Sequence, residues 1–424
     1  MKKLLCLILA MLMVFGLCAC GKKSSEGENT GATTNNPMFR QGLLAVSKDG
    51  KFGYVNEKGK FVIPAQFEWA EWFTENGLAA VELNGKYGFI NEKGKFVIQP
   101  QFDGASYFGE NGLAPVGING KWGFIDEKGS FVVQPQFDYA KPFSKNGLAA
   151  VEINDKWGYV DKEGSFVIQP QFESASYFVF NELAEVELND KYGFIDEKGN
   201  FVVQPQYDLI YSFTENGLAM VSLNEKYGYI DQKGNAVIPL QFDDASYFGE
   251  NGLAAVKQNG KYGFIDEKGS FVIQPQFEDA SYFNKSELAA AKQNGKYGFI
   301  DEKGSFVIEP QFEDASNFAD NGLVAVKLNG KYGYIDEKGN FVIEPQFEDA
   351  SYFEKSGLAT VKHNGKWGVI NAQGAFVVQP QYKLLYLYDF YTDGYIIVYA
   401  DGNFGVIDST GKVVLETAYE MINR

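Results

Sequence analysis

The alternation of apolar and polar positions in residues 77–111 predicts a short antiparallel meander. Residues 78–83 (LAAVEL) and 86–91 (KYGFIN) form two candidate strands in which side chains point alternately to opposite faces. The Asn-Gly pair at 84–85 favours a two-residue hairpin between them, because both residues tolerate positive φ. A third candidate strand follows at 95–98, after a second turn.

The rest of the same unit predicts a connection to the next one. Gln99-Pro100 is expected to end the third strand, since proline lacks an amide donor. Phe102, Ala105 and Phe108 then place apolar groups three residues apart, which fits one helical turn or a tight loop folded back on the sheet. Each unit is therefore expected to contain three strands.

The same pattern returns every 35 residues, and this period decides the fold class. A worn eleventh copy follows at 403–405 after an insertion of two residues. In arrays of this period each unit buries its apolar face only against its neighbours. The lysine that opens the second strand recurs at Lys51, Lys86, Lys121, Lys156, Lys191, Lys226, Lys261, Lys296, Lys331 and Lys366.

We expect an all-β tandem array of about eleven 35-residue, three-stranded antiparallel units that forms an open twisted solenoid over residues 38–381. A closed β-propeller is the alternative; it is less favoured because eleven units exceed the usual range of about four to eight blades. Residues 382–424 are expected to be a degenerate last repeat and a C-terminal cap over the last exposed core.

A glycine recurs two residues after each motif lysine, as at Gly88 and Gly123. Glycine weakens the interior of a strand, so its recurrence needs a structural reason. We expect close approach of a neighbouring backbone or aromatic ring, with direct ligand contact as the alternative.

The segment Lys-Trp-Gly-Phe-Ile-Asp at 121–126, followed by Gly129 and FVVQPQF at 131–137, resembles the bacterial WG repeat family. The resemblance extends over about residues 41–415. Trp122, Trp157 and Trp367 keep the tryptophan, and other copies have Tyr or Phe there. The resemblance implies β-rich tandem repeats, often in exported proteins, with no general activity.

The N-terminal residues resemble the precursor of a bacterial lipoprotein. A basic start and an apolar segment at 4–16 are followed by Leu17-Cys-Ala-Cys-Gly21, which is similar to a lipobox. The resemblance implies a signal peptide at 1–19, fatty acylation of Cys20 (as by palmitate) and an extracytoplasmic protein anchored to a bacterial membrane. Ordinary cleavage of the signal peptide or a retained anchor is the alternative. Residues 20–37 then form the lipidated cysteine and a flexible tether, because they contain no large apolar residue.

Composition narrows the candidate chemistry. The net charge of −17 argues against a nucleic-acid partner. Cys6, Cys18 and Cys20 are the only cysteines, so the repeats contain no disulfide or cysteine metal site. His363 is the single histidine, too little for a common zinc site or a Ser-His-Asp triad. We expect no catalytic residue, metal or cofactor, although recurring carboxylates leave a hydrolase and weak calcium binding at the acidic turns as alternatives.

Two recurring patterns are candidate binding surfaces. An aromatic residue precedes the phenylalanine of the connection and would form a ladder that stacks on sugars or peptide side chains; packing between units is the alternative. One strand position changes from glutamate to lysine and would form a basic column for an anionic polymer or acidic partner, unless nearby glutamates neutralise it. The ladder is Trp72, Tyr107, Tyr177, Tyr247, Tyr282 and Tyr352; the column is Lys257, Lys292, Lys327 and Lys362.

These features together predict an exported, lipid-anchored repeat scaffold and not an enzyme. Its expected role is non-covalent binding of a protein partner or a cell-envelope glycan. A structural spacer or envelope-assembly component without a dedicated ligand is the alternative, and a polysaccharide hydrolase is a second one. The oligomeric state is left open.

Overall fold

The computed structural model describes residues 38–178, 182–214, 216–388 and 394–423. They form eleven four-stranded sheets, and all pairing within the sheets is antiparallel. We number these sheets as blades 1 to 11 in chain order. The all-β, antiparallel character predicted from the alternation pattern is confirmed.

The blades have the following strands. Blade 1 contains β1 (Leu44–Lys48), β2 (Lys51–Val55) and β3 (Phe61–Phe67). Blade 2 contains β4 (Trp69–Ala70), β5 (Leu78–Leu83), β6 (Lys86–Asn91) and β7 (Phe96–Phe102); blade 3 contains β8 (Gly104–Ala105), β9 (Ala114–Ile118), β10 (Lys121–Ile125) and β11 (Phe131–Phe137). Blade 4 contains β12 (Tyr139–Ala140), β13 (Ala149–Ile153), β14 (Lys156–Val160) and β15 (Phe166–Phe172); blade 5 contains β16 (Ser174–Ala175), β17 (Ala184–Glu187), β18 (Tyr192–Ile195) and β19 (Phe201–Tyr207).

Blade 6 contains β20 (Leu209–Ile210), β21 (Leu218–Leu223), β22 (Lys226–Asp231) and β23 (Ala236–Phe242). Blade 7 contains β24 (Asp244–Ala245), β25 (Ala254–Gln258), β26 (Lys261–Ile265) and β27 (Phe271–Phe277); blade 8 contains β28 (Asp279–Ala280), β29 (Ala289–Gln293), β30 (Lys296–Ile300) and β31 (Phe306–Phe312). Blade 9 contains β32 (Asp314–Ala315), β33 (Val324–Leu328), β34 (Lys331–Ile335) and β35 (Phe341–Phe347); blade 10 contains β36 (Asp349–Ala350), β37 (Leu358–His363), β38 (Lys366–Asn371) and β39 (Phe376–Tyr382). Blade 11 contains β40 (Leu385–Tyr388), β41 (Tyr395–Ala400), β42 (Asn403–Asp408) and β43 (Val413–Tyr419), and β44 (Met421–Asn423) pairs with β1.

Two turn types shape every blade. At the hairpin between β5 and β6, Asn84 and Gly85 have φ of 55° and 70°, as the Asn-Gly signal predicts. At the next type of turn, Oδ1 of Asp126 accepts hydrogen bonds from the amides of Lys128 (2.9 Å) and Ser130 (2.8 Å). A short polar side chain therefore satisfies turn amides that have no strand partner.

The third strand continues past its proline, so the predicted end at Gln99-Pro100 is wrong. β7 is an edge strand and bulges against β6, where Tyr87 pairs with Phe102 and Phe89 pairs with Ile98. An edge strand tolerates proline because its outer amides need no partner.

The recurring glycine allows this bulge. A Cβ added to Gly88 would lie 2.6 Å from the carbonyl oxygen of Ile98 and 2.7 Å from the nitrogen of Pro100. The expected close approach is therefore present, and the neighbouring group is backbone.

The connection contains a strand, and not the predicted helical turn or tight loop. Gly104 and Ala105 form β8 and pair with Gly117 and Val116 of β9. This two-residue strand is the first strand of the following blade, so each unit contributes to two sheets. The expected three-stranded unit is thus a four-stranded blade.

The array closes into an eleven-bladed propeller. β44 pairs with β1, and Glu420 accepts hydrogen bonds from the Ser47 hydroxyl (3.1 Å) and the Gly50 amide (2.8 Å). The side-chain amide of Asn423 donates to the carbonyl of Ala70 (2.8 Å). Of residues 382–424, β40 to β43 thus form blade 11 and β44 completes blade 1.

Apolar packing follows the same ring. The described residues contain eleven buried clusters, each shared by two neighbouring blades, and the cluster between blades 11 and 1 includes Val46, Val406 and Leu415. The expected open solenoid is wrong and the closed alternative is confirmed. Eleven sheets close with about 33° of rotation each, so a blade count above the usual range does not prevent closure.

Candidate functional site

The predicted aromatic ladder follows the first, two-residue strand of its blades, and it divides into two groups. Tyr247, Tyr282 and Tyr352 are 46%, 50% and 55% exposed. Trp72, Tyr107 and Tyr177 are half-buried and pack against other side chains. The half-buried members therefore fit the alternative interpretation, packing between units. The other three members are exposed, as the binding interpretation expects.

The half-buried members connect three blades. The rings of Trp72 and Tyr107 lie 5.2 Å apart. A side-chain hydrogen bond joins Tyr107 of blade 3 to Tyr177 of blade 5. Burial is the main reason that the pKa of Tyr177 is raised, and the neighbouring Tyr107 raises it further. Pro142 occupies the equivalent position of blade 4 and has no ring hydroxyl to separate the two tyrosines. Blades two apart approach only near the axis of a propeller, so these loops lie on its axial side.

Three further rings extend this group through blades 3 and 4. Trp122 contacts Tyr139 with ring centroids 4.9 Å apart, and Tyr139 lies 6.0 Å from Trp157. A Cβ added to Gly104 or Gly117 would meet the Trp122 ring at 3.0 or 3.2 Å. The two glycines therefore let an indole lie against the backbone.

Two cations border the same rings. The Lys141 ammonium lies 4.8 Å from the Trp157 ring centroid and 5.5 Å from that of Tyr177. The Arg40 guanidinium lies 5.4 Å from the Trp72 ring centroid. We call Trp72, Tyr107, Trp122, Tyr139, Trp157 and Tyr177 the aromatic cluster.

The predicted lysine column lies beside acidic groups. Lys257 pairs across the strands with Asp244 and with Tyr262. Its ammonium is 5.3 Å from the Tyr262 ring centroid, and the Tyr262 hydroxyl donates to Asp244 at 2.5 Å. Burial and the Asp244 carboxylate raise the pKa of Tyr262.

The same arrangement repeats in blades 8 and 9. Tyr297 donates to Asp279 and Tyr332 donates to Asp314, both at 2.6 Å, and each tyrosine also lies within electrostatic range of the aspartate of the following blade. Lys292 and Lys327 lie over these rings. We call Asp244, Tyr262, Asp279, Tyr297, Asp314 and Tyr332 the Asp–Tyr belt. Each of these lysines thus lies opposite an aspartate of the first strand of its blade. In blade 10, Lys362 lies opposite Asp349 in the same register.

The aromatic ladder and the lysine column occupy opposite ends of the first strand. Lys257 pairs with Asp244, the first residue of β24, whereas Tyr247 follows the end of that strand. The two predicted surfaces thus begin at opposite ends of a two-residue strand. Lys141 contacts both of them, because it lies over Trp157, which pairs with the column position Glu152, and over Tyr177 of the ladder.

Most recurring carboxylates have a structural contact. Aspartates such as Asp126 hold turn amides, and Glu127 accepts a hydrogen bond from Asn76 of the preceding blade at 3.0 Å. The part of the chain that the structure describes contains no group of three or more His, Cys, Asp or Glu side chains able to hold a metal ion. His363 packs between Phe347 and Phe376, with ring centroids 6.1 Å away from each.

Two half-buried carboxylates were missed from the sequence. Burial raises the pKa of both Glu71 and Glu185. Glu71 accepts a hydrogen bond from the Trp69 indole at 2.9 Å and also bonds Asn423. A signal existed for Glu185, because the same position holds alanine in other copies: Ala80, Ala150, Ala255, Ala290 and Ala325.

Cys20, the predicted site of lipidation, lies outside the described residues. Within the described ranges, no helix has the length and apolar character needed to cross a bilayer.

The molecule is thus a closed repeat propeller with an aromatic arc on one side of its ring and an Asp–Tyr arc on the other. The chain belongs to the WG repeat family: a model of the WG containing repeat matches ten consecutive copies over residues 52–403. No curated protein matches the sequence.

Solved structures with a similar fold are distant. A eukaryotic initiation factor is 12% identical with a TM-score of 0.43, covering 90% of this chain and 96% of its own. PorZ, a bacterial surface component of the type-IX secretion system of Porphyromonas gingivalis, is 9% identical with a TM-score of 0.26, covering 90% of this chain and 66% of its own.

Proposed function

We propose that this protein is an exported, lipid-anchored propeller that binds a protein partner or a cell-envelope glycan without covalent chemistry. Acylation of Cys20 would anchor it, since each buried methylene contributes about 0.8 kcal/mol and two or three chains suffice for stable attachment. Residues 20–37 would then hold the propeller away from the membrane.

The exposed tyrosines of the later blades support the binding role. Tyr247, Tyr282 and Tyr352 expose about half of their surface at equivalent positions. A tyrosine ring offers a flat apolar face with a polar tip and loses little conformational entropy on binding. The structural contacts of the recurring carboxylates give no reason to propose a catalytic role.

The binding role is tested by the triple variant Tyr247→Ala, Tyr282→Ala, Tyr352→Ala. We expect reduced retention of the protein on isolated cell-envelope glycan or on its surface-protein partner, with an unchanged melting temperature. The matched control is Val272→Ala, Val307→Ala, Val342→Ala, which removes similarly exposed apolar side chains from the fourth, outer strands (β27, β31 and β35) of blades 7 to 9. Equal retention of both variants and the unaltered protein would favour the spacer alternative.

The anchor is tested separately by Cys20→Ser. We expect loss of incorporated radiolabelled palmitate and release of the protein from the membrane fraction, because a single polar substitution removes the acceptor sulfur. Palmitate label that persists on the Cys20→Ser variant would contradict lipidation at Cys20. Release of reducing ends from envelope polysaccharide by the purified protein would favour the hydrolase alternative.

A further inference from the structure

Lys141 departs from a structural rule of the repeats. The equivalent position is serine in six blades, at Ser106, Ser176, Ser246, Ser281, Ser316 and Ser351. In four of them the hydroxyl accepts an amide hydrogen bond from the second strand at 2.8–3.0 Å. A lysine ammonium has no acceptor, so blade 4 lacks this hydrogen bond from the amide of the second strand. Such local exceptions concentrate at functional positions.

The Lys141 ammonium is a half-buried cation without an acidic partner. It donates to the carbonyl of Ala175 at 2.9 Å and lies over the rings of Trp157 and Tyr177. Among the described residues it makes no ion pair, and burial lowers its pKa. Ring faces offset only part of the cost of removing a cation from water. A ligand carboxylate would complete its coordination.

The surrounding rings suit a sugar chain. The aromatic cluster receives side chains from blades 2 to 5, and Tyr139 is 43% exposed at its centre. Flat aromatic faces in a row stack on the apolar faces of successive sugar rings. Arg40, which is solvent-exposed over Trp72, supplies a second cation at the other end of the row.

We propose that the aromatic cluster binds an acidic glycan, with sugar faces on the rings and a carboxylate paired with Lys141. This inference rests on the proposed binding function and adds a second binding surface, on blades 2 to 5, with a ligand of stated chemistry. A chain of net charge −17 repels a dense polyanion, whereas spaced carboxylates match two cations separated by rings. A glycan also fits the cluster better than an acidic peptide, because consecutive sugars present flat faces at every unit.

Calorimetric titration of the full-length protein tests the proposal. The probes are tetrasaccharides of galacturonic acid, glucuronic acid and sialic acid, each beside its methyl ester, and a tetraglutamate peptide. At least one acidic tetrasaccharide should bind, and its methyl ester should bind at least about tenfold more weakly, because a charge-assisted hydrogen bond is lost. Lys141→Gln should cause a similar loss, whereas Lys303→Gln, an exposed turn lysine in blade 8, should leave the affinity unchanged.

Three results would overturn the proposal. They are no binding of any acidic tetrasaccharide, equal binding of acid and ester, or equal losses from Lys141→Gln and Lys303→Gln. Equal affinity for tetraglutamate would identify an acidic peptide as the ligand instead. None of these outcomes affects retention through Tyr247, Tyr282 and Tyr352, so failure here is distinguishable from failure of the proposed function.

Discussion

Replacing Gly298 with alanine tests the close approach between β30 and β31, the third and fourth strands of blade 8. The added Cβ would lie 2.4 Å from the carbonyl oxygen of Ile308 and 2.8 Å from the nitrogen of Pro310. Comfortable contacts of carbon lie near ~3.5–4.0 Å, so the bulged strand must retreat by about 1 Å. Both neighbours are backbone atoms, which cannot rotate away as a side chain would.

Overpacking of this kind costs about 1–3 kcal/mol, and we expect the upper end because a paired strand must move. Urea denaturation should show the loss, and amide hydrogen exchange should increase in β30 and β31 before other blades. Gly295→Asn is the matched control: Gly295 has φ of 78°, which asparagine tolerates, and a Cβ added there would meet nothing within 4 Å beyond its chain neighbours. We expect a smaller loss, about 1 kcal/mol or less, from the control, because asparagine visits the left-handed region at modest cost. Equal losses from both variants would refute the close-contact explanation.

Three further predictions follow from the ring and its buried groups. Deleting residues 420–424 removes β44 and the contacts of Glu420 and Asn423. Amide hydrogen exchange should therefore rise in blades 1 and 11 but not in blade 6. Exchange that stays unchanged in all blades would contradict closure by this strand. Glu71→Gln should raise the free energy of unfolding at neutral pH. Burial raises the pKa of the Glu71 carboxyl above its ordinary value of 4.5, so the stability of the unaltered protein falls as the pH rises from 4.5 through the raised pKa. The gain should vanish below pH 4.5 in unfolding curves, and a gain that persists there would have another cause. Tyr297→Phe removes the hydrogen bond to Asp279 and should lower the free energy of unfolding in urea by about 1.5 kcal/mol. Tyr282→Phe, at an exposed tyrosine, should lower it by almost nothing. Equal losses from the two variants would show that the hydrogen bonds of the Asp–Tyr belt do not stabilise the fold.

The local elements could be predicted because their signals lie within a few residues of each other. Asn84-Gly85 sets its hairpin through its own φ angles, and Gly88 marks a close contact inside one blade. Closure could not be predicted in the same way. It depends on a rotation of about 33° at each interface, and no single repeat reveals that angle.

The candidate site shows the same limit. The residues of the ladder and the column were found by their period, but their surroundings depend on neighbouring blades. Tyr107 bonds Tyr177 across blade 4, whose equivalent position is Pro142, and a 35-residue pattern does not predict that contact. Asp244 was missed as the partner of Lys257 because the segment that contains it was expected to be a turn or loop, and it is a strand.

Ring closure also bears on how such a gene can vary. Nearly identical 35-residue units invite gain or loss of whole copies by unequal recombination. Loss of residues 262–296 would leave about 33° to be shared among ten interfaces, or about 3° each, which is small beside the spread of angles between packed sheets. Such a shortened chain should still close and melt in one transition, and separate melting of its two halves would show that it does not. The aromatic cluster lies outside the deleted segment, so copy number can change while the proposed glycan-binding surface is retained.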